Sequence, residues 1–97
     1  MEFEFDGEVF YWRGPSPFHF VAVPADDGEV IHDHAGLVTY GWGMIPATVT
    51  IGATEWTTAL FPKDGRYLVP IKDAVRRAEG LEPGDTTALR LTITIAP

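Results

Sequence analysis

Glu2-Phe3-Glu4-Phe5-Asp6-Gly7-Glu8-Val9-Phe10-Tyr11-Trp12 opens the chain on a two-residue beat. Phe3, Phe5, Val9 and Tyr11 share one parity, and Glu2, Glu4, Asp6 and Glu8 share the other. Successive side chains of an extended backbone point to opposite faces, so this spacing predicts one strand over 2–12 with an oily and a wet face. The four carboxylates read as a solvated surface rather than a cation site, and they discourage pairing with a stray strand.

The same beat recurs along the chain. Phe18 to Val23 reads as a second strand, antiparallel to the first across the Arg13-Gly14-Pro15-Ser16-Pro17 turn, and Pro24 ends it. Ala47, Val49 and Ile51 alternate with Thr48 and Thr50, and Gly52-Ala53 turns the chain into Glu55 to Leu60. Phe61-Pro62-Lys63-Asp64-Gly65 reads as a turn before a short strand, Arg66 to Val69. Leu89, Leu91, Ile93 and Ile95 make the inward face of the last strand.

Two segments break the pattern. Ile71, Ala74, Val75 and Ala78 fall at helical spacing, with Asp73 in the first turn, Arg76 and Arg77 in the last, and Gly80 placed to cap. Leu81 then packs back onto Val75. Ala25 to His34 reads as a helical turn with Val30 and Ile31 inward, weakened by Gly28. The sum is a mainly β single domain over 1–97, a barrel or sandwich of six to seven strands with one short helix at about 71–79 and a helical turn at about 25–34.

Composition fits this. The chain has 97 residues, too few for two domains, and its three Trp, three Tyr and six Phe supply a core for a protein with a high surface-to-volume ratio. There is no cysteine, which removes disulfides, thiolate metal sites and a Cys nucleophile, and points to the cytoplasm. The acidic start is unlike a secretory signal, and no apolar run is long enough to cross a membrane. The net charge is −7 and uneven: residues 1–62 hold nine acids and one base, Arg13, whereas residues 63–97 hold five acids and six bases. Such a chain repels phosphate backbones and anionic membranes, which favours a protein, peptide or small ligand over nucleic acid.

Gly43-Met44-Ile45-Pro46, Thr50-Ile51-Gly52 and Glu55-Trp56-Thr57-Thr58-Ala59-Leu60-Phe61-Pro62 form a recognisable series. It continues through Gly65-Arg66-Tyr67-Leu68-Val69-Pro70-Ile71-Lys72, Val75-Arg76-Arg77-Ala78 and Gly80-Leu81 to Gly84-Asp85. In this series the chain resembles, over essentially its whole length, the prokaryotic family catalogued as domain of unknown function nineteen-oh-five. The resemblance implies a small closed, double-split β-barrel and no established activity. More distantly, Tyr67-Leu68-Val69-Pro70, Val75-Arg76 and Leu81-Glu82-Pro83-Gly84-Asp85 are similar to the half-unit of AbrB-type regulators and MazE-type antitoxins. Those proteins complete a barrel by exchanging such units between two chains; here residues 1–60 would supply the other half in cis, so the chain reads as a monomer or a homodimer.

Chemistry-bearing residues are sparse. Ser16 is the only serine and lacks a Gly-x-Ser-x-Gly setting, and Gly41-Trp42-Gly43 lacks the Lys-Ser/Thr of a phosphate loop. No catalytic residue and no cofactor is implied. His32-Asp33-His34, with His19 as a third nitrogen, would suit zinc or iron if extended, but on a helix end the two rings diverge, so the segment reads as polar surface. Trp12 and Trp56 read as core. Trp42, between two glycines, is the aromatic placed to meet a ligand, and Lys72, Arg76 and Arg77, with Lys63 nearby, could receive an anion. The expected function is a non-enzymatic binding or protein-interaction domain using Trp42, Lys72, Arg76 and Arg77. The alternatives are a small metalloprotein or enzyme centred on His32 and His34, and an AbrB-like regulator touching nucleic acid through Lys72, Arg76 and Arg77.

Overall fold

The computed structural model describes residues 1–13, 18–34 and 44–93. In chain order they form β1 (Glu2–Glu8), β2 (Phe10–Trp12), β3 (Phe18–Ala22), α1 (Ala25–Asp33), β4 (Ile45–Ile51), β5 (Thr54–Lys63), β6 (Arg66–Ile71), α2 (Asp73–Ala78) and β7 (Thr86–Thr92). The strands make one antiparallel sheet in the order β1-β7-β4-β5-β6-β3-β2. Its first and last members are consecutive in the chain, with only Val9 between them. The sheet is therefore curled strongly, into a half-barrel whose edges approach each other.

Alternation sets the register. Phe3 lies opposite Leu91 and Phe5 opposite Leu89, and Val49 faces Trp56 on one side and Leu91 on the other. These inward residues join Val9, Val21, Ile45, Ile51, Leu60, Val69 and Ile71 in the core, while Ile31 covers it from α1 and Val75 and Leu81 from the α2 end. Strands from both halves of the chain share the sheet, since β1 and β4 pair with β7 and β3 and β5 pair with β6.

The expected single strand over 2–12 is two strands. Val9 is fully buried and exchanges backbone hydrogen bonds with the loop before β7: its N–H donates to the Asp85 carbonyl at 2.8 Å, and its carbonyl accepts from the Gly84 N–H at 2.8 Å. Those bonds pull the chain off the β7 ladder, and the next three residues pair with β3. Tyr11 keeps the parity of Phe3, Phe5 and Val9, opposite His19, yet on this three-residue strand it is 45% exposed. Just before the switch, Gly7 passes over β3 so closely that a Cβ there would collide with Cγ1 of Val21.

Three other expectations change. Asp64 (φ 51°) and Gly65 (φ 75°) alone supply the two left-handed residues of a tight hairpin, so β5 continues through Phe61, Pro62 and Lys63 instead of ending in a five-residue turn. Ile71 belongs to β6, opposite His19, and the helix begins at Asp73; only Val75 of the expected stripe is buried on it, with Ala74 and Ala78 exposed. In α1, Ile31 is buried but Val30, a hundred degrees round the helix, faces solvent. The cap of α2 follows expectation: Gly80 (φ 65°) lets the Leu81 N–H reach the Arg76 carbonyl at 2.9 Å and its own N–H reach Arg77 at 3.3 Å, a Schellman arrangement. Ile95 lies outside the described residues. None of the helices in the described residues is long and apolar enough to cross a membrane.

Candidate functional site

Half of the sheet is apolar on both faces. Pairing of β2 with β3 sets Phe10 opposite Phe20 and Trp12 opposite Phe18, and pairing of β3 with β6 sets Ala22 opposite Leu68. Phe61 on β5 is the next neighbour, opposite Leu68. Period two then sends Val21 and Val69 to the core and Phe10, Trp12, Phe18, Phe20, Ala22, Phe61 and Leu68 to the outer face. Phe20 and Leu68 are buried although neither belongs to the interior cluster. Other aromatic rings shield them: Phe20 has Phe10 at 6.0 Å, Trp12 at 5.9 Å, Phe18 at 5.7 Å and Phe61 at 5.9 Å between centroids. Contacts of this kind contribute about 0.5–1.5 kcal/mol each beyond area burial.

The shelf is left partly open. Trp12 and Phe61 are each 39% exposed. The Lys63 ammonium sits 4.5 Å above the Trp12 ring, an attraction of about 0.5–1 kcal/mol at a wet site, and lies 3.9 Å from the exposed Asp64 carboxylate. Arg66 donates to the Val23 carbonyl from Nη2 at 2.9 Å and from Nε at 3.3 Å, which fixes its guanidinium at the rim. Phe10, Trp12, Ala22, Leu68, Lys63, Asp64 and Arg66 enclose a recess of about 210 Å³. It is an apolar floor with two cations and one acid around it. A wider groove of about 480 Å³ runs over β1, β7 and β4, but its cation, Arg90, is already committed to Glu4 Oε1 at 3.0 and 3.1 Å.

Of the residues expected to bind a ligand, Trp42 lies outside the described residues. Lys72 and Arg77 are exposed at the two ends of α2. The Arg76 guanidinium meets Glu82 at 3.3 Å, the Leu81 carbonyl at 3.4 Å and Asp73 at 3.9 Å. Lys63 is not with them but over Trp12. The histidines are likewise dispersed. His34 Nδ1 is 2.9 Å from the Val30 carbonyl, which requires the proton on that nitrogen. His32 Nδ1 is 3.5 Å from the Tyr67 hydroxyl, and His19 packs edge-on against Tyr11 at 4.9 Å. Among the described residues no three His, Asp or Glu side chains gather as metal ligands would. Burial pushes the Tyr67 hydroxyl above its ordinary titration near 10.0.

Trp56 is buried as expected, with an indole N–H that has no partner among the described residues. Trp12 is not core but outer shelf; Phe10, Phe61 and Arg66 are shelf residues that the sequence reading passes over, and Lys63, expected beside the α2 cations, belongs to the shelf instead. A signal existed in Val9-Phe10-Tyr11-Trp12, where apolar residues occupy both parities. That pattern puts apolar side chains on both faces of the strand, so some of them must lie outside the interior core.

What the fold and this shelf define is a small, mainly β domain with an interior core and a second, partly open aromatic face. The chain belongs to the family described as Domain of unknown function (DUF1905), whose model matches residues 5–91. No curated protein matches it.

Proposed function

We propose that this domain is a non-enzymatic binding module whose working surface is the shelf on β2, β3, β5 and β6. A protein or peptide partner places an apolar side chain in the recess beside Phe10 and Trp12, and an anionic group of the partner meets Lys63 and Arg66. One observation carries this reading: Trp12 and Phe61 stay partly open to water, with Lys63 over Trp12 and Arg66 at the rim of the recess, in a chain whose net charge is −7. Exposed apolar surface costs free energy and invites association, so a lasting patch of it with a charged rim is what an interface requires.

Two further points support the reading. We take the curled sheet as a closed, double-split barrel, since β1 and β2 are one residue apart and Gly7 touches Val21; closure would hold the shelf rigid. The lack of cysteine suits a partner met in the cytoplasm.

Amide shifts of the labelled protein against a library of short peptides test the proposal. Shifts confined to β2, Leu68 and Arg66, and lost in Trp12→Ala, are expected. Shifts confined to Lys72, Arg76 and Arg77 or to the segment around Trp42 would move the working surface to α2 and overturn the shelf.

A further inference from the structure

We infer that Asp64-Gly65 is a site of spontaneous covalent modification, where the aspartate converts to isoaspartate through a cyclic imide, while the fold protects the chain's two other Asp-Gly pairs, Asp6-Gly7 and Asp27-Gly28. The chemistry of such a pair is general. The backbone nitrogen of the glycine adds to the side-chain carboxyl carbon of the aspartic acid, and the carboxyl hydroxyl leaves with the amide proton as one water. Water then opens the imide at either carbonyl. Attack at the side-chain carbon restores aspartate; attack at the former backbone carbon leaves the main chain running through the side-chain methylene. The mass is unchanged at the end, and water is the only co-reactant. Glycine favours the step because it has no Cβ to obstruct its own nitrogen. The fold decides whether the peptide plane can turn to meet the carboxyl.

The three pairs sit in different frames. Asp6-Gly7 lies within β1, opposite Ala88 and Thr87, and Gly7 has no room for even a Cβ beside Cγ1 of Val21, so turning its peptide would break the ladder and strike a buried side chain. Asp27-Gly28 lies within α1, where the Gly28 N–H, which carries the nitrogen that must attack, donates to the Pro24 carbonyl at 2.8 Å. Asp64-Gly65 is the tip of the β5–β6 hairpin. The Asp64 side chain is 89% exposed, a Cβ on Gly65 would meet nothing within 4 Å, and the Gly65 N–H makes no backbone hydrogen bond among the described residues. The Lys63 ammonium at 3.9 Å is a wet ion pair that holds the carboxylate weakly. Asp64 alone of the described non-glycine residues has a left-handed backbone (φ 51°), so leaving that conformation releases strain rather than packing.

The product alters the shelf. A two-residue hairpin loop closes because its backbone turn matches the twist of the strands. One extra backbone atom between Lys63 and Arg66 spoils that match, and both rim cations, over Trp12 and at the Val23 carbonyl, hang from this turn. Ageing at Asp64 thus loosens the rim of the recess. That consequence rests on the shelf being the working surface; the modification itself does not.

The test incubates the full-length protein for weeks at neutral pH, native and in denaturing urea. Digestion and electron-transfer fragmentation, which separates the two linkages at equal mass, then counts isoaspartate at each pair. In urea the three should convert at similar rates. In the native protein Asp64 should convert nearly as fast as in urea and about tenfold faster than Asp6 or Asp27, the factor that one intact backbone hydrogen bond imposes. Gly65→Asn keeps a residue that tolerates the left-handed conformation but sets a Cβ beside the nitrogen, and should suppress conversion at Asp64 alone. Native conversion at Asp64 no faster than at Asp6 or Asp27 would overturn the inference. So would conversion at Asp64 in urea but not in the native protein, because the hairpin would then be a shield. Amide shifts of Lys63 and Arg66 in the aged fraction read the rim; unchanged shifts would refute its loosening.

Discussion

Gly7→Ala tests the packing on which the curl of the sheet depends. In an ordinary strand this change is favourable by roughly 0.5–1 kcal/mol, because glycine loses more chain freedom on folding than alanine. Here the added methyl runs into Cγ1 of Val21, which is fully buried and β-branched, so it has neither room nor a free rotamer in which to yield. Overpacking of this kind costs about 1–3 kcal/mol. The contact therefore reverses the sign, to a net loss of about 1–2 kcal/mol. For a chain of this size the melting temperature should fall by about 5–15 °C. Val21→Ala alone removes two buried methyl-sized groups and should cost about 2–3 kcal/mol with its cavity term. In the double variant each change relieves the other, so the combined loss should be smaller than the sum by at least about 1 kcal/mol. Urea unfolding followed by circular dichroism measures all four proteins. A neutral or stabilising Gly7→Ala, or strict additivity, would mean that β1 does not rest on β3.

Two more changes probe other joints. Tyr67 is buried with its phenol pushed above its ordinary titration, so the unfolded chain releases that proton first and folding stability falls as pH rises above about 10. Tyr67→Phe should flatten that alkaline decline while changing little at neutral pH, since among the described residues the hydroxyl's one partner is His32 at 3.5 Å; urea midpoints across pH 7–11 would read it. Gly80→Ala forces an L side chain to φ 65° at the Schellman position and should cost about 1 kcal/mol, measured by thermal melting; an unchanged melt would mean α2 ends some other way.

Sequence reading reached the interior well and the exterior poorly. Phe3, Phe5, Val49, Leu89 and Leu91 were placed correctly because alternation is local and each sits in a strand with one wet face. Ile71 was misplaced because its spacing to Val75 satisfies a helix while its own backbone serves the β6 ladder, and the ladder wins. Pro62 looked like punctuation, yet Asp64 and Gly65 already bend the chain unaided. The shelf was hidden for a deeper reason. Phe10, Trp12, Phe20, Phe61 and Lys63 are scattered over five decades of the sequence and meet only because β2, β3, β6 and β5 are neighbours, an order that no local rule supplies. Trp12 reads as core because most tryptophans are, although its parity, shared with Glu2, Glu4, Asp6 and Glu8, already points it outward.

The ladder between the ends of the chain also dictates a timetable. Met1 and Ile93, 92 positions apart, hold each other by two backbone hydrogen bonds, and every residue of β1 waits for a partner in β7. During synthesis the β4–β5–β6 meander can assemble as it emerges, whereas Phe3 and Phe5 emerge well before the β7 strand against which they pair. For that interval the carboxylates at Glu2, Glu4, Asp6 and Glu8 are what keeps two orphaned phenylalanines from finding a neighbouring nascent chain.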